Sequence, residues 1–258
     1  MTAPPVPQVI VSRDNPLIKR LRLLAHNTTA YRKQGQVWLE GEHLCQALLA
    51  RGLRPALALF TEAYWPQADP ALRQAAPRVY LVPDAPMAAI SGLESPAPMG
   101  FAWDLPLDVH VQPGAASVVL DRLQDPGNVG SILRSAAAMG FGQVLAIKGT
   151  AALWSPKVLR SGMGAHFALN LVEGLSVDEV AAAGLPLLVT SSHEGDFLHQ
   201  AALPWPCAWV LGHEGQGVAP ALARLAARSV RIAQPGGEES LNVAAAAAIC
   251  LHASAAAR

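Results

Sequence analysis

The fold is indicated by one stretch of the chain, SVVLDRLQDPGNVGSILRSAAAMGFGQVLAI, which spans residues 117–147. Its first apolar run predicts a strand over Ser117–Leu120, and a polar loop over residues 121–127 follows. A helical pattern then runs to Gly140, and a second apolar run predicts a strand over residues 144–147. Because a strand, a crossover helix and another strand form the unit from which parallel sheets are built, the stretch predicts an α/β fold.

The same alternation of apolar runs and helical patterns continues from about residue 36 to the end of the chain. Downstream strands are predicted over residues 168–172, Leu187–Thr190, Ala208–Leu211 and 230–232. An alanine-rich helix is predicted from about Leu241 onward. Since parallel strands collect ligand sites at their carboxyl ends, the loops that follow these strands are the candidate functional loops.

A smaller α/β domain is predicted upstream. Asn15 is placed to cap a helix that begins at Pro16. The predicted buried face of that helix consists of Leu17, Ile18, Leu21 and Leu24. Strands are predicted over residues 36–39, 56–60 and Val79–Val82, and a helix over Glu42–Ala50 that stops before Gly52. Glycines and prolines between residues 92 and 116 predict a linker, so we expect a first domain of residues 1–108 and a second of residues 109–258.

Bulk composition limits the class of protein. The chain has 258 residues, 52% of them hydrophobic, which supplies material for one large core or two modest ones. No window approaches the roughly 18 apolar residues of a membrane span, and residues 1–15 lack the pattern of a secretory signal, so we expect a cytoplasmic protein without membrane contacts. Cys45, Cys207 and Cys250 lie too far apart for a metal motif or a disulfide framework, and we expect them to be buried.

Charge is balanced overall but uneven along the chain. The net charge is zero, which argues against a protein that coats nucleic acid without specificity. Residues 1–40 nevertheless carry six basic side chains against the two acids Asp14 and Glu40, a net charge of 6 minus 2, or 4. A local patch of this kind can hold phosphate groups. The candidate RNA-binding residues are Arg13, Lys19, Arg20, Arg22, Arg32 and Lys33.

The first candidate loop follows the strand Ser117–Leu120 and leads to Asn128 and Arg134. Asn128 is placed before the predicted helix, where it either caps the helix or contacts a ligand. Arg134 stands six residues later, among Ile132, Leu133 and alanines, where an unpaired charge would be costly. The pattern therefore predicts a partner or a ligand for Arg134.

Two more polar loops follow later strands. Residues 212–217, Gly-His-Glu-Gly-Gln-Gly, fit either a plain turn or a close backbone approach to a ligand, and their spacing matches neither a phosphate-binding loop nor the dinucleotide fingerprint. Residues 234–243 contain Ser240, which is suited to cap the last helix. They also contain Asn242, whose poor propensity inside a first helical turn suggests an outward contact.

Together these loops resemble the three motifs of the SpoU, or TrmH-like, family of RNA ribose methyltransferases, within the knotted SPOUT class. The segments that carry the resemblance are DRLQDPGNVGSILRSAAAMGFG, WVLGHEGQGV and IAQPGGEESLNVAAAAAICL, and the match extends over residues 117–250. Upstream, SRDNPLIK at residues 12–19 and VWLEGEH at residues 37–43 resemble the small RNA-binding domain, similar to a ribosomal-protein fold, that often precedes this catalytic domain.

The resemblance implies a trefoil-knotted catalytic domain with a mainly parallel sheet, a homodimer, and S-adenosylmethionine bound in the knot. The residues expected to line the cofactor pocket are Leu211, Gly212, Glu214, Gly217, Ile232 and Leu241. The residues that match the polar active-site set are Asn128, Arg134, Glu214, Ser240 and Asn242. One departure is the segment Ile232-Ala-Gln-Pro, where many relatives have a proline directly after the isoleucine, so this loop is expected to turn differently.

The implied activity is S-adenosylmethionine-dependent methylation of a ribose 2'-hydroxyl in structured RNA, with ribosomal RNA favoured over transfer RNA. The family's proposal makes Arg134 a base, but a guanidinium gives up its proton with difficulty, so a charged Arg134 that grips a phosphate and stabilises the alkoxide stays open. In both cases Glu214 is expected to orient Arg134, and Asn128 to fix the ribose.

Three alternative functions fit the sequence less well. A non-catalytic RNA-binding protein of the same fold would have no need for the polar set, and a nucleotide-dependent oxidoreductase would carry a glycine-rich fingerprint after the first strand, which residues 121–130 lack. The histidines in His193-Glu-Gly-Asp-Phe-Leu-His199 fit no standard pair of metal ligands, so no metal is expected.

Overall fold

The computed structural model describes residues 5–191, 194–237 and 240–258. The chain divides into two compact units, each built on its own sheet. The first contains the residues up to Leu107 together with Trp154–Phe167, and the second contains Asp108–Leu153 and Ala168–Arg258. Helices accompany both sheets, and most strand pairs are parallel, so the predicted α/β class is confirmed.

The first unit has a five-stranded mixed sheet in the order β1-β4-β3-β5-β2. Its elements along the chain are β1 (Gln8–Val9), α1 (Pro16–His26), α2 (Ala30–Gln34), β2 (Gln36–Glu40), α3 (Glu42–Ala50), β3 (Leu57–Thr61), α4 (Pro70–Arg73), β4 (Val79–Val82), α5 (Asp84–Ile90) and β5 (Met99–Asp104). The β1–β4 and β3–β4 pairs are parallel, whereas β5 pairs antiparallel with both β2 and β3.

Local sequence signals account for helix α1. The Asn15 side chain accepts a hydrogen bond of 2.8 Å from the Leu17 amide, which caps the helix as predicted. Ile18, Leu21 and Leu24 are buried in the core of this unit, and Leu17 packs at its edge. The predicted bounds of α3 are also confirmed.

The predicted linker over residues 92–116 is wrong over residues 99–104, because strand β5 lies inside it. Residues 99–103 are buried, and β5 is central in the sheet. Gly100 reads as a break in the sequence, but a Cβ there would overlap the Trp38 indole and would lie 2.7 Å from the Leu39 carbonyl oxygen. The glycine thus permits close cross-strand packing inside a strand. The irregular connection runs over residues 105–116.

The second unit has a seven-stranded sheet in the order β10-β12-β9-β11-β6-β7-β8, and all of its strand pairs are parallel. The elements from residue 117 onward are β6 (Ser117–Leu120), α6 (Pro126–Ala138), β7 (Gln143–Ile147), α7 (Pro156–Gly162), β8 (Asn170–Leu175), α8 (Val177–Ala181), β9 (Leu187–Thr190), β10 (Asp196–Phe197), β11 (Ala208–Leu211), α9 (Pro220–Arg224), β12 (Arg228–Arg231) and α10 (Val243–Ala256). Of these, α7 belongs to the first unit.

Several boundaries in this unit differ from the prediction by one or two residues, among them β12, which was predicted over residues 230–232 and lies at Arg228–Arg231. The strand predicted over residues 168–172 begins at Asn170, because Ala165–Ala168 form a 3-10 helix. The last helix begins at Val243 instead of Leu241. In both places an apolar residue beside the element, Ala168 or Leu241, was included in it, so hydrophobicity alone does not mark the boundary.

The core of the second unit fixes the last helix against the sheet. Helix α10 buries Ala247, Cys250 and Leu251, and the buried Ser254 hydroxyl accepts a hydrogen bond of 2.8 Å from the Trp209 indole nitrogen of β11. All three cysteines are buried and free, as expected. Within the described part of the chain, no helix has the length and apolar character that a membrane crossing requires.

Candidate functional site

The three predicted loops lie at one edge of the parallel sheet. Strands β6, β9, β11 and β12 run parallel, so their carboxyl ends share this edge. Asp121, the first residue after β6, is buried and accepts a hydrogen bond of 2.6 Å from the Ala219 amide in the loop after β11. Its carboxylate also pairs with Arg122 at 2.8 Å, and Arg122 reaches Gln216 at 3.1 Å. Asp121 and Arg122 therefore hold the first two loops together.

Helix α6 begins earlier than the sequence suggested. Asp125 is the N-cap, and its carboxylate accepts a hydrogen bond of 2.7 Å from the Asn128 amide. Asn128, which was predicted to precede the helix, lies in its first turn. The cap is already filled by Asp125, so the Asn128 side chain is left to make contacts outside the helix.

A chain of hydrogen bonds links all three loops through their predicted polar residues. The Asn242 side-chain nitrogen donates to the Asn128 side-chain oxygen at 3.0 Å. The Asn128 side-chain nitrogen donates to Glu214 at 3.3 Å. Residues that are 114 and 86 positions apart in sequence are thereby joined directly. We call this chain the Asn242–Asn128–Glu214 relay.

The Glu214 carboxylate is held by the start of helix α6. It accepts hydrogen bonds of 3.2 Å from the backbone amides of Gln124 and Asp125, besides the bond from Asn128. Partial burial alone would raise the pKa of Glu214, but these bonds and one from its own amide together lower the pKa below its usual value. The residue is therefore a carboxylate near neutral pH.

Two glycines of the second loop are required by the geometry of the loop. His213 and Gly217 exchange backbone hydrogen bonds of 3.0 and 2.8 Å, which closes a tight turn. A Cβ on Gly212 would overlap the Gly217 carbonyl carbon, and Gly217 has a φ of 67°, in the left-handed region that favours glycine. The turn interpretation is correct for this geometry, and the turn also exposes Glu214 at its tip.

The third loop ends in a helix cap, and the prediction that Ser240 supplies this cap is wrong. Asn242, not Ser240, caps α10, and its side-chain oxygen accepts hydrogen bonds of 2.9 and 3.2 Å from the Ala244 and Ala245 amides. Asn242 therefore does not lie inside the first turn. Its amide faces two ways, because the oxygen caps the helix while the nitrogen reaches Asn128.

The second and third loops, together with the end of β9 and the start of α10, line a cavity of about 400 Å³. Of the predicted residues, its lining contains Gly212, Glu214, Gly217, Ile232, Ser240, Leu241 and Asn242. The lining also includes an apolar wall formed by Val218, Val230, Val243 and Ala246. This size and mixture suit a small organic ligand that has an apolar ring and several polar groups. The Gln234 side-chain oxygen in the same lining is buried and has no donor among the described residues, which marks a place for a ligand donor.

Three predicted site residues lie outside this lining. Leu211 is buried at the end of β11, and Asn128 stands behind Glu214. Arg134 lies on the exposed side of α6, so the expected cost of a buried charge does not arise. The Arg134 side chain also forms no hydrogen bond or ion pair with any residue that the structure describes, and the expected contact with Glu214 is absent there.

Sequence reasoning missed several residues that shape the site. Asp121 and Arg122 lie directly after an apolar strand, and a charged pair in that position could have identified them as site residues. Arg122 has a φ of 59°, unusual for a residue with a side chain, which fits a constrained loop. Thr190 lines the cavity but lies in no motif, and Gln234 lines it within the third motif, where no role was predicted for its side chain.

The basic residues of the first unit are not all equivalent. Lys19 and Arg22 line an open groove of about 410 Å³ on helix α1, together with Leu23, His26 and Asn27. Lys19 also forms a solvent-exposed ion pair of 2.9 Å with Asp14. The remaining predicted residues lie outside this lining: Arg13, Arg20, Arg32 and Lys33.

No group of three or more histidine, cysteine, aspartate or glutamate side chains in residues 5–191, 194–237 and 240–258 is arranged to hold a metal ion. His193 of the histidine segment lies outside the described residues. His199 stacks on Phe197, with ring centroids 5.6 Å apart.

A parallel sheet with a ligand-sized cavity at the carboxyl ends of its strands defines an α/β protein with a small-molecule site. Residues 115–252 match the model of the SpoU rRNA Methylase family, and the chain belongs to this family. The chain is 35% identical over 257 residues to an uncharacterized tRNA/rRNA methyltransferase of Synechocystis, covering 94% of this chain and 92% of the relative.

Two further comparisons agree with this assignment. The chain is 29% identical to the 23S rRNA (guanosine(2553)-2'-O)-methyltransferase RlmP of Bacillus subtilis, covering 94% of this chain and 97% of the relative. The crystal structure of an AdoMet-bound rRNA methyltransferase from Sinorhizobium meliloti is similar with a TM-score of 0.81 and 25% identity, and the match covers 96% of this chain and 97% of that one.

Proposed function

We propose that this protein transfers a methyl group from S-adenosylmethionine to a ribose 2'-hydroxyl of ribosomal RNA. Membership of the SpoU family supports the reaction, and the name of the B. subtilis relative supports the ribose 2'-hydroxyl and ribosomal RNA. The single observation that carries the site assignment is the Asn242–Asn128–Glu214 relay at the rim of a ligand-sized cavity.

The cavity residues fit S-adenosylmethionine. An apolar wall suits the adenine ring. The backbone of Gly212 and the Gly217 carbonyl, which has a second lone pair, suit the polar edges of the ring, and Glu214 offers a carboxylate to the cofactor's ammonium group. When bound, the cofactor supplies an electrophilic methyl group on a sulfonium centre. Ile232 and Leu241 are the proposed contacts of the adenosyl part, and Leu211 supports the turn from behind.

The Asn242–Asn128–Glu214 relay forms a fixed polar rim of the cavity, against which a ribose can be held. Asn128 and Asn242 orient each other, and Ser240 is exposed in the same lining, within the loop that precedes Asn242. Positioning of a hydroxyl in line with the methyl group accounts for a large part of the rate in such a transfer. We assign Asn128, Ser240 and Asn242 to this positioning, with Glu214 as the acceptor that anchors them.

Arg134 is proposed to act as a charged guanidinium. Its side chain is exposed and has no carboxylate partner among the described residues, so the guanidinium is open to an RNA phosphate. A guanidinium of this kind can grip a phosphate beside the target and stabilise the developing alkoxide. We expect Arg134→Lys to lose most turnover, because lysine lacks the planar fork, with unchanged affinity for the cofactor. Turnover at the level of the wild type would remove Arg134 from the mechanism.

The first domain, residues 1–108, is proposed to bind the RNA substrate. The groove on α1 combines the cations Lys19 and Arg22 with an exposed apolar side chain, Leu23, and with His26, which suits a phosphate backbone and an unstacked base. The proposed surface also includes Arg13, Arg20, Arg32 and Lys33.

The second domain, residues 109–258, is proposed to be knotted and to form a homodimer through helix α10. This helix is apolar apart from His252 and Ser254, yet it buries only one side. Ile249 is 42% exposed, and alanines extend the same outward face. An exposed apolar helix face of this kind favours association. Sedimentation of Ile249→Glu should give a monomer, whereas Leu225→Glu, at an exposed leucine outside α10, should stay dimeric.

Three measurements test the proposed activity in the cytoplasm, where we expect the protein to work. Calorimetry with S-adenosylmethionine should give one site per chain. Tritiated methyl transfer to bulk RNA should label ribosomal RNA, and mapping of 2'-O-methylation in a deletion strain against the parent should identify the lost position. Labelling of transfer RNA alone would overturn the choice of substrate, and cofactor binding without any transfer would favour a non-catalytic RNA-binding protein.

A further inference from the structure

One polar atom in the cavity has no partner in the described protein. The side-chain oxygen of Gln234 is shielded from solvent and accepts no hydrogen bond from any residue that the structure describes. A buried acceptor in this state costs free energy unless a ligand or water supplies a donor. Gln234 therefore points to a specific donor on whatever molecule fills the cavity.

The backbone explains why this side chain faces the cavity. Strand β12 ends at Arg231, but the row of side chains on one of its faces continues into the loop. Val230, Ile232 and Gln234 all line the cavity, with the alternate spacing of an extended chain. Val230 and Ile232 together form an apolar surface, the Val230–Ile232 wall, and the amide of Gln234 lies at the end of this surface.

We propose that the Gln234 side-chain oxygen accepts a hydrogen bond from the 6-amino group of the adenine ring of the methyl donor. This inference rests on the proposed function, since it identifies a contact to the same cofactor. It makes Gln234 a residue that selects an adenine base against a 6-oxo purine.

The chemistry of the site favours the amino group over the cofactor's other donors. The ammonium group would bring a full positive charge to a neutral amide beside the apolar wall, whereas Glu214 offers it a carboxylate. Each ribose hydroxyl both donates and accepts hydrogen bonds, so an isolated acceptor would leave the hydroxyl oxygen without a donor. The 6-amino group is neutral, only donates, and is attached to a flat ring that the Val230–Ile232 wall can pack against.

The test compares two ligands and two variants by calorimetry on the full chain. The ligands are S-adenosylhomocysteine and S-inosylhomocysteine, which differ at position 6 by an amino group against an oxo group. Gln234→Met has a similar length but no comparable acceptor. Gln200→Met is the matched control, because Gln200 is exposed and lies outside the cavity lining.

We expect Gln234→Met to weaken binding of the adenosyl ligand about five-fold, the usual effect of one neutral hydrogen bond, and to leave binding of the inosyl ligand unchanged or stronger. The control should bind both ligands as the wild type does. Equal losses for both ligands, no loss for either, or a wild-type preference for the inosyl ligand would each overturn the proposal. If the wild type binds neither ligand, the proposed function itself fails, which distinguishes the two outcomes.

Discussion

Substitution of Asn242 by aspartate should separate the stability of helix α10 from the organisation of the site. Aspartate keeps an oxygen that can accept from the Ala244 and Ala245 amides, and a negative charge is favourable at a helix N-terminus. It loses the nitrogen that donates to Asn128. We therefore expect Asn242→Asp to unfold at the temperature of the wild type.

The loss in activity follows from the directions of the hydrogen bonds. With aspartate at position 242, the Asn128 oxygen would face another acceptor. If the Asn128 amide turns over to avoid this, its oxygen faces the Glu214 carboxylate instead. To avoid an acceptor–acceptor contact in either orientation, the Asn128 side chain must rotate out of the relay, and re-forming the relay in the transition state would then cost about 1–3 kcal/mol. If the relay must be intact in the transition state, kcat falls by about 5- to 150-fold.

Two variants calibrate this prediction. Asn242→Ala loses both the cap and the relay, so it should lower stability by about 1 kcal/mol and also lower kcat. Ser176→Ala removes the cap of α8, whose hydroxyl accepts from the Glu179 amide at 3.3 Å, and should lower stability alone. Thermal unfolding and tritiated methyl transfer measure the two effects. Wild-type kcat in Asn242→Asp would refute the relay, and a stability loss equal to that of Asn242→Ala would refute the cap argument.

Three further predictions concern other parts of the chain. Gly100→Ala should destabilise the first unit by about 2 kcal/mol in denaturant unfolding, because the added methyl group overlaps the Trp38 indole. Replacement of both Lys19 and Arg22 by alanine should weaken RNA binding and reduce the salt dependence of log Kd by about 1 for each lysine or arginine, whereas Arg51→Ala, outside the groove, should not. Glu214 has a lowered pKa, so its stabilising bonds are fully present above its ordinary value of 4.5 and are lost as pH falls through the lower folded value. The stability difference between wild type and Glu214→Gln should therefore shrink in acid, and a difference independent of pH would contradict this.

Elements with complete local signals could be predicted from the sequence. Helix α1 has an asparagine cap, a proline in its first position and one apolar face, and all three signals agree. Strand β5 could not be predicted, because the reason for the glycine inside it lies in the tertiary structure. Gly100 is required by the indole of Trp38, whose position depends on the pairing of β2 with β5.

The candidate site was predictable as a set of loops but not as a set of contacts. Ser240 and Asn242 are both competent caps two residues apart, and the choice depends on tertiary structure, including the contact between Asn242 and Asn128. The exposure of Arg134 was also hidden. Its neighbours Ile132 and Leu133 are buried, but each residue of a helix is rotated by about 100° from the one before.

Polar groups at this edge of the sheet fall into two kinds that should play different parts. Asn128, Glu214 and Asn242 already satisfy one another, so a ligand that binds them directly must add to bonds that exist or replace them. Within the described residues, the Gln234 oxygen and the Arg134 guanidinium have no such partner, and a ligand bond there displaces nothing in the protein. A frame that is bonded before the ligand arrives costs no reorganisation during the reaction. The satisfied groups therefore act by positioning, and the two unsatisfied ones are the contacts from which a bound cofactor and RNA gain the most.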